Sequence, residues 1–283
     1  MSKQLRRATT ALGFAALIVL GWMPRSGEAG IVVTRGTSTT PAGLTPVRDA
    51  FRNIIGGGNV PGANGSFGGV RREINWDGVP DSFSQPNLLP GNFFNVNSPR
   101  GAVFTTPGDG FMVSADSSNP TATPPSFGFP ADFVPFSPQR LFAPVGSNVF
   151  DTTFFVAGTT TVAGVTAFGA IFNDVEVSQM TKMEIFDLDG NSIGSEFVDI
   201  NVSGGLSFLG FHTTAGELIG RVRFTLGANI LLANGEFANG QEAVVLDDFI
   251  YSEARAVPEP ASIAAAVVGL GFGLVAIRRR RSA

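Results

Sequence analysis

The carboxylates best placed to do chemistry in this 283-residue chain fall in two short stretches. "VVLDDFIY" sets Asp247 and Asp248 side by side inside an apolar run, and "IFDLDGNSIG" sets Asp187, Asp189 and Asn191 at alternate positions around Gly190. Oxygen donors spaced in that way converge on a hard cation, here calcium, although the closing bidentate Glu of a calcium loop is missing. The competing reading of Asp189-Gly190 is a hairpin turn joining "KMEIF" to "SIGSEFV". If "VVLDDFIY" is a strand, the side chains of Asp247 and Asp248 point to opposite faces and one carboxylate faces inward. An inward carboxylate needs an arginine, backbone donors or a metal. Arg221 or Arg223 of "GRVRF" would serve as the first and a structural calcium as the last, while a turn at the strand end would release the carboxylate altogether.

Other residue types offer less. His212 is the only histidine, so a histidine-rich zinc site is excluded by count. A Ser-His-Asp triad would use it as the base, with Ser207 a nearby nucleophile, yet no nucleophile elbow accompanies it. In "GGVRREINWDGVPD", Trp76 stands beside Asp77 and Asp81. Exposed, its ring would stack on a sugar, as would that of Tyr251; the alternative for Trp76 is a place in the core. A glycosidase would need two carboxylates at a set separation, and among 21 acidic residues between Gly30 and Val257 the sequence picks out no pair.

The elements that must position these residues read as β structure. Gly 36, Pro 18 and Phe 26 accompany only 15% charged residues, and short Thr/Val/Phe-rich runs alternate with turn residues. Strands are expected at 70–75, 92–97, 102–105, 110–115, 140–142, 151–156, 167–177, 182–186, 192–199, 206–213, 217–226 and 243–251. One helix is expected in "TPVRDAFRNII", capped by Thr45 with Pro46 at its first position. The expected fold is all-β, an antiparallel β-sandwich of jelly-roll type, occupying residues 46–253 after a linker at 30–45, for which a first strand is the alternative. The proline-rich stretch 119–138 is too long for a hairpin and is expected to cover a sheet edge or a binding face.

Charge is segregated. Residues 30–257 hold 11 basic and 21 acidic residues, a net charge of −10, which disfavours nucleic acid as a partner and leaves divalent cations or neutral polysaccharide. The basic residues outside that range cluster at the two ends. With no cysteine, the chain has no thiol chemistry, no Cys-based metal centre and no disulfides.

Both ends read as addresses. Lys3, Arg6 and Arg7 precede an apolar stretch from Ala8 to Trp22, and small residues surround Ala29, the pattern of a signal peptide over 1–29 and entry into the export machinery. An uncleaved membrane anchor is the alternative. Near the other end, 261–277 is 17 residues without a charge, about 26 Å as a helix at 1.5 Å per residue, a transmembrane length at the short limit. Arg278, Arg279, Arg280 and Arg281 follow it and fix the basic end in the cytoplasm. Just before the helix, Val257, Pro258, Glu259 and Pro260 form an extended tetrapeptide that cannot enter it.

Val-Pro-Glu-Pro, an Ala/Gly/Leu-rich helix and an arginine cluster in that order resemble the PEP-CTERM sorting signal of Gram-negative bacteria, over 254–283. The resemblance implies recognition by a membrane-embedded exosortase, a transient inner-membrane stage with the domain in the periplasm, and delivery to the cell surface or extracellular matrix, in the company of polysaccharide and biofilm. "FGAIFNDVEV" and "VVLDDFIY" are similar to stretches of some secreted proteins of that kind. Asp247 and Asp248 also resemble the last-strand aspartates that serve a structural calcium in jelly-roll carbohydrate-binding modules. The function expected is a non-catalytic structural or polysaccharide-binding component, with an extracellular carbohydrate-active hydrolase as the alternative.

Overall fold

Strand by strand, the burial pattern separates two kinds of sheet. A computed structural model describes residues 30–57, 69–238 and 240–257. In chain order the strands are β1 (Ile31–Ser38), β2 (Arg71–Ile74), β3 (Ala102–Thr105), β4 (Gly110–Val113), β5 (Phe142–Val145), β6 (Val149–Phe155), β7 (Val162–Gly164), β8 (Ala167–Asn173), β9 (Lys182–Phe186), β10 (Ser192–Phe197), β11 (Leu206–Thr213), β12 (Arg221–Thr225), β13 (Val245–Ser252) and β14 (Arg255–Ala256). The helices are α1 (Pro41–Ile55) and the single turn α2 (Phe93–Val96). One sheet runs β1-β11-β8-β13-β5-β4 with β2 also on β13; the other runs β10-β9-β12-β6-β7-β14 with β3 also on β6. Every ladder between these strands is antiparallel.

In the second sheet, β6, β9 and β12 bury every other residue, because one face meets the core and the other meets water. In the first sheet, β8 and β13 are buried at every position. Their inner face packs on the second sheet through Phe168, Phe172, Phe249 and Tyr251 against Phe150, Phe154 and Phe224. Their outer face is covered twice: α1 lays Leu44 and Phe51 on Ile171, Phe208 and Ile250, and the proline-rich stretch lays Phe127 and Phe133 on Met112, Ala143 and Val245. The expected covering role of 119–138 is thus seen, over a sheet face. Double burial explains why "FGAIFN" and "VLDDFIYS" read as continuous rather than alternating runs.

Two cross-strand glycines seat the helix. Gly169 and Gly210 are paired between β8 and β11, and a Cβ on either would lie 2.7–2.8 Å from the Phe51 or Phe208 ring. Their lack of side chains lets Phe51 descend onto the sheet, where it meets Phe208 edge-on at 5.2 Å.

Several expectations are corrected. Of the two readings of 30–45 the first strand holds and the linker does not, since β1 pairs along its whole length with β11. The helix is capped five residues earlier than expected: Thr40 Oγ1 accepts from the Gly43 N–H at 3.2 Å, Pro41 takes the first position and Pro46 lies inside. The same Thr-Pro pair occurs twice, and the earlier one wins because it adds Leu44 to the buried face. Residues 92–97 form α2 rather than a strand, since Phe93 and Phe94 both turn into the core. Among the described residues no helix is long and apolar enough to cross a membrane. The expected signal peptide, the transmembrane span 261–277, Pro258–Pro260 and Arg278–Arg281 all lie outside the described residues; Val257 is within them and exposed.

Candidate functional site

The adjacent aspartates do not alternate as a regular strand would require. β13 pairs Leu246 with Phe172 and Phe249 with Ala170 of β8, so Asp247 and Asp248 together oppose Ile171 in a β-bulge. The bulge turns both carboxyl groups to one serine: Ser137 Oγ is 3.1 Å from Asp247 Oδ1 and 2.8 Å from Asp248 Oδ1. The Phe136 N–H donates to Asp247 Oδ2 at 2.6 Å, and the Asp247 carbonyl accepts from Trp76 Nε1 at 2.8 Å. Asp247 is 0% exposed and Asp248 4%. The expectation of opposite faces is therefore corrected, and so is the arginine partner: Arg221 and Arg223 both bind Asp151, on the other sheet.

Two buried carboxyls beside one hydroxyl cannot both be charged. Burial and the neighbouring Asp248 push Asp247 well above the usual carboxylate range, and burial pushes Asp248 up to about 6. Ser137 has one proton to donate, so a carboxyl proton on the pair completes the triangle. The charges facing Asp248 are Glu73 of β2, which raises it further, and Arg48 of α1, which opposes that rise. The pair is a proton-sharing staple holding the 136–140 segment to the sheet. Asp77 secures the far end of the segment, accepting from the N–H groups of Gln139 at 2.6 Å and Arg140 at 3.1 Å.

The same use of acids recurs. Asp187 accepts from the N–H groups of Asp189 and Asn191 at 2.9 and 2.8 Å, within the hairpin turn between β9 and β10. Glu242 accepts from the N–H groups of Glu176 and Val177, and Asp174 from that of Gly204. Glu73 is held between Arg52 at 2.5 Å and Arg71 at 2.6 Å, and Arg72 is bidentate to Glu253. The acidic surplus is consumed in loop staples and buried pairs. Asp187, Asp189 and Asn191 belong to the sheet opposite Asp247 and Asp248, and among the described residues no three His, Cys, Asp or Glu side chains stand together as a metal cage. The five oxygen donors considered for one calcium are not brought together.

No protein-family model matches the chain, and no curated protein matches it. The reading of the site therefore rests on its geometry.

Trp76 takes the core place weighed against a sugar platform, and Tyr251 is corrected from sugar platform to core. Trp76 is 1% exposed, stacked on Phe142 at 4.1 Å with Phe249 edge-on at 5.1 Å. Tyr251 is fully buried, stacked on Phe168 at 5.7 Å, and its hydroxyl donates to the Arg100 carbonyl at 3.0 Å. His212 is half-buried on β11, and burial lowers its pKa; Ser207, its proposed partner, donates instead to the Asp199 carbonyl at 2.7 Å.

The open concavities lie elsewhere. Two shallow depressions, ≈490 and ≈410 Å³, share Thr105 and Thr106. The first carries Leu88, Pro90 and Asp109; the second carries Ser147, Asp151 and Arg223. Arg223 holds Asp151 bidentately at 2.8 Å with its own side chain 40% exposed. No sequence motif marked these residues, because strand register and the β3–β4 loop bring them together.

Proposed function

We propose that this chain is an exported, non-catalytic β-sandwich protein of jelly-roll-like type, carried to the cell surface or extracellular matrix by a PEP-CTERM tail, where it binds polysaccharide. The observation that carries the reading is the order Val257–Pro260, uncharged 261–277, Arg278–Arg281 behind an acidic all-β domain. The Thr105–Thr106 depressions support it: hydroxyls beside a fixed Asp–Arg pair suit sugar hydroxyls, and their shallowness suits a polymer rather than a small metabolite. Such contacts are weak singly and act through many copies along one chain.

The adjacent aspartates do not suit the hydrolase alternative. A glycosidase needs two carboxyls about 5 Å or more apart across an open cleft, whereas Asp247 and Asp248 are buried, adjacent and bonded to one serine.

Two experiments test the proposal. Intact mass of the surface-associated protein should show a chain beginning near Gly30 and ending near Pro258–Pro260; a mass that includes Arg278–Arg281 removes the sorting reading. In gels containing the host's own exopolysaccharide the protein should be retarded, less so as Arg223→Ala. Unretarded migration leaves only a structural role, and reducing sugar released in dependence on one Asp or Glu establishes the hydrolase.

A further inference from the structure

Arg100 is a half-buried cation with no carboxylate partner among the described residues. Arg35, Arg48, Arg52, Arg71, Arg72, Arg140, Arg221 and Arg223 each meet a carboxylate. Arg100 meets none among the described residues. Its Nη1 donates only to Ser98, through the carbonyl at 3.4 Å and the hydroxyl. Its guanidinium stands over the Phe94 ring at 5.3 Å, and its Nε is buried without a partner. The Nε–Nη2 edge, which takes a carboxylate side-on in a bidentate pair, therefore has no acceptor among the described residues.

That guanidinium lines a cavity of ≈60 Å³ with Asn75, Trp76, Gly78, Phe94 and Ser98. The volume admits about four water-sized groups, enough for a carboxylate and the carbon that bears it. Asn75 and Gly78 are exposed at the rim, while Trp76, Phe93 and Phe94 form buried apolar walls. The Arg100 backbone is pinned: its N–H donates to the Phe94 carbonyl at 2.7 Å, and its carbonyl accepts from Tyr251. Burial lowers the Arg100 pKa, with Tyr251 opposing that fall and Arg72 adding to it. A rigidly held, half-buried cation with no anion among the described residues is completed by a bound one.

We infer that the Arg100 cavity binds a single carboxylate group, that of a uronic-acid sugar, with the guanidinium edge pairing the carboxylate and Asn75 and Ser98 at the rim. The net charge of −10 between Gly30 and Val257 repels densely charged polymers at long range, so the matching ligand carries sparse carboxylates on a mainly neutral chain. The sugar origin of the carboxylate rests on the polysaccharide reading above; the anion site does not.

Trp76 reports on the cavity. The chain has two tryptophans, so Trp22→Phe in the full-length protein leaves Trp76 as the only indole. Titration with glucuronate should change its emission saturably, and glucose should not. Arg100→Met should abolish the change, and Arg100→Lys should weaken binding by about tenfold through loss of the bidentate edge. Acetate should bind more weakly than glucuronate. The inference is overturned by an absent glucuronate response, by an equal response to glucose, or by an undiminished one in folded Arg100→Met. If that variant does not fold, Arg100→Lys decides: unchanged affinity overturns the site. Acetate binding as tightly as glucuronate removes the sugar from the proposal. Retardation in the polysaccharide gel without a glucuronate response overturns the Arg100 site alone; a glucuronate response without retardation overturns the polymer reading alone.

Discussion

Trp76→Ala should destabilise the fold by about 3–5 kcal/mol, a large part of the stability of an ordinary domain. The ring is stacked on Phe142 and touched by Phe94, Phe104 and Phe249, in an aromatic cluster that reaches across both sheets. Truncation removes the transfer energy of a whole indole and leaves a cavity that four rigid rings cannot close. It also strips the Asp247 carbonyl of its donor at the bulge. Trp76→Phe keeps most of the apolar area and loses that hydrogen bond, so a loss nearer 1–2 kcal/mol is expected. Urea unfolding of the two variants against the parent measures both, and a loss below about 1 kcal/mol for the alanine variant would contradict the core placement. Any fall in polysaccharide retention in Trp76→Ala should track the unfolded fraction rather than a lost sugar contact.

The second large effect is on pH dependence. Asp247 and Asp248 titrate above the ordinary carboxylate range in the folded state, Asp248 up to about 6. The folded state thus holds a proton that the unfolded chain has released. Stability is highest near pH 4 and falls as pH rises through 6, and Asp247, held well above its usual range, continues the fall at higher pH. For the two-unit rise of Asp248 the fall is on the order of 3 kcal/mol. Asp174, also raised to about 6, and Asp77 act in the same direction, whereas Asp116, Asp151 and Asp187, all lowered, lose their contribution only at more acid pH. Asp247→Asn isolates the pair. Its amide carbonyl can accept from Phe136 while its NH2 donates to Asp248, imitating the protonated acid. The variant should be more stable than the parent at pH 7 and show a shallower slope between pH 4 and 6. Asp247→Ala should share the shallower slope but lose about 1–3 kcal/mol near pH 4, because the Phe136 N–H is left buried and unpaired. Thermal melts across that range decide the matter, and parallel slopes for parent and Asp247→Asn would exclude a shared proton.

The all-β class, most strands of the second sheet, the Asp-Gly hairpin turn and the covering role of 119–138 were legible in the sequence alone. Each follows from a local rule: alternation where one face meets water, turn residues between runs, too many residues for a hairpin. The features of the tail that suggest its destination are likewise local, a fixed order of residue types that needs no tertiary contact to be read. The functional geometry was not local. Trp76 and Tyr251 carry the residue types of a sugar platform, but only the packing of one sheet on the other buries their rings. Asp247 and Asp248 obey strand alternation until pairing with β8 inserts the bulge that turns both onto Ser137. Arg100 reads as one arginine among many. Its lack of a carboxylate partner among the described residues, while the buried arginines are paired, emerges only when residues distant in sequence are brought into contact, because ion pairing and burial depend on spatial neighbours that sequence order does not specify.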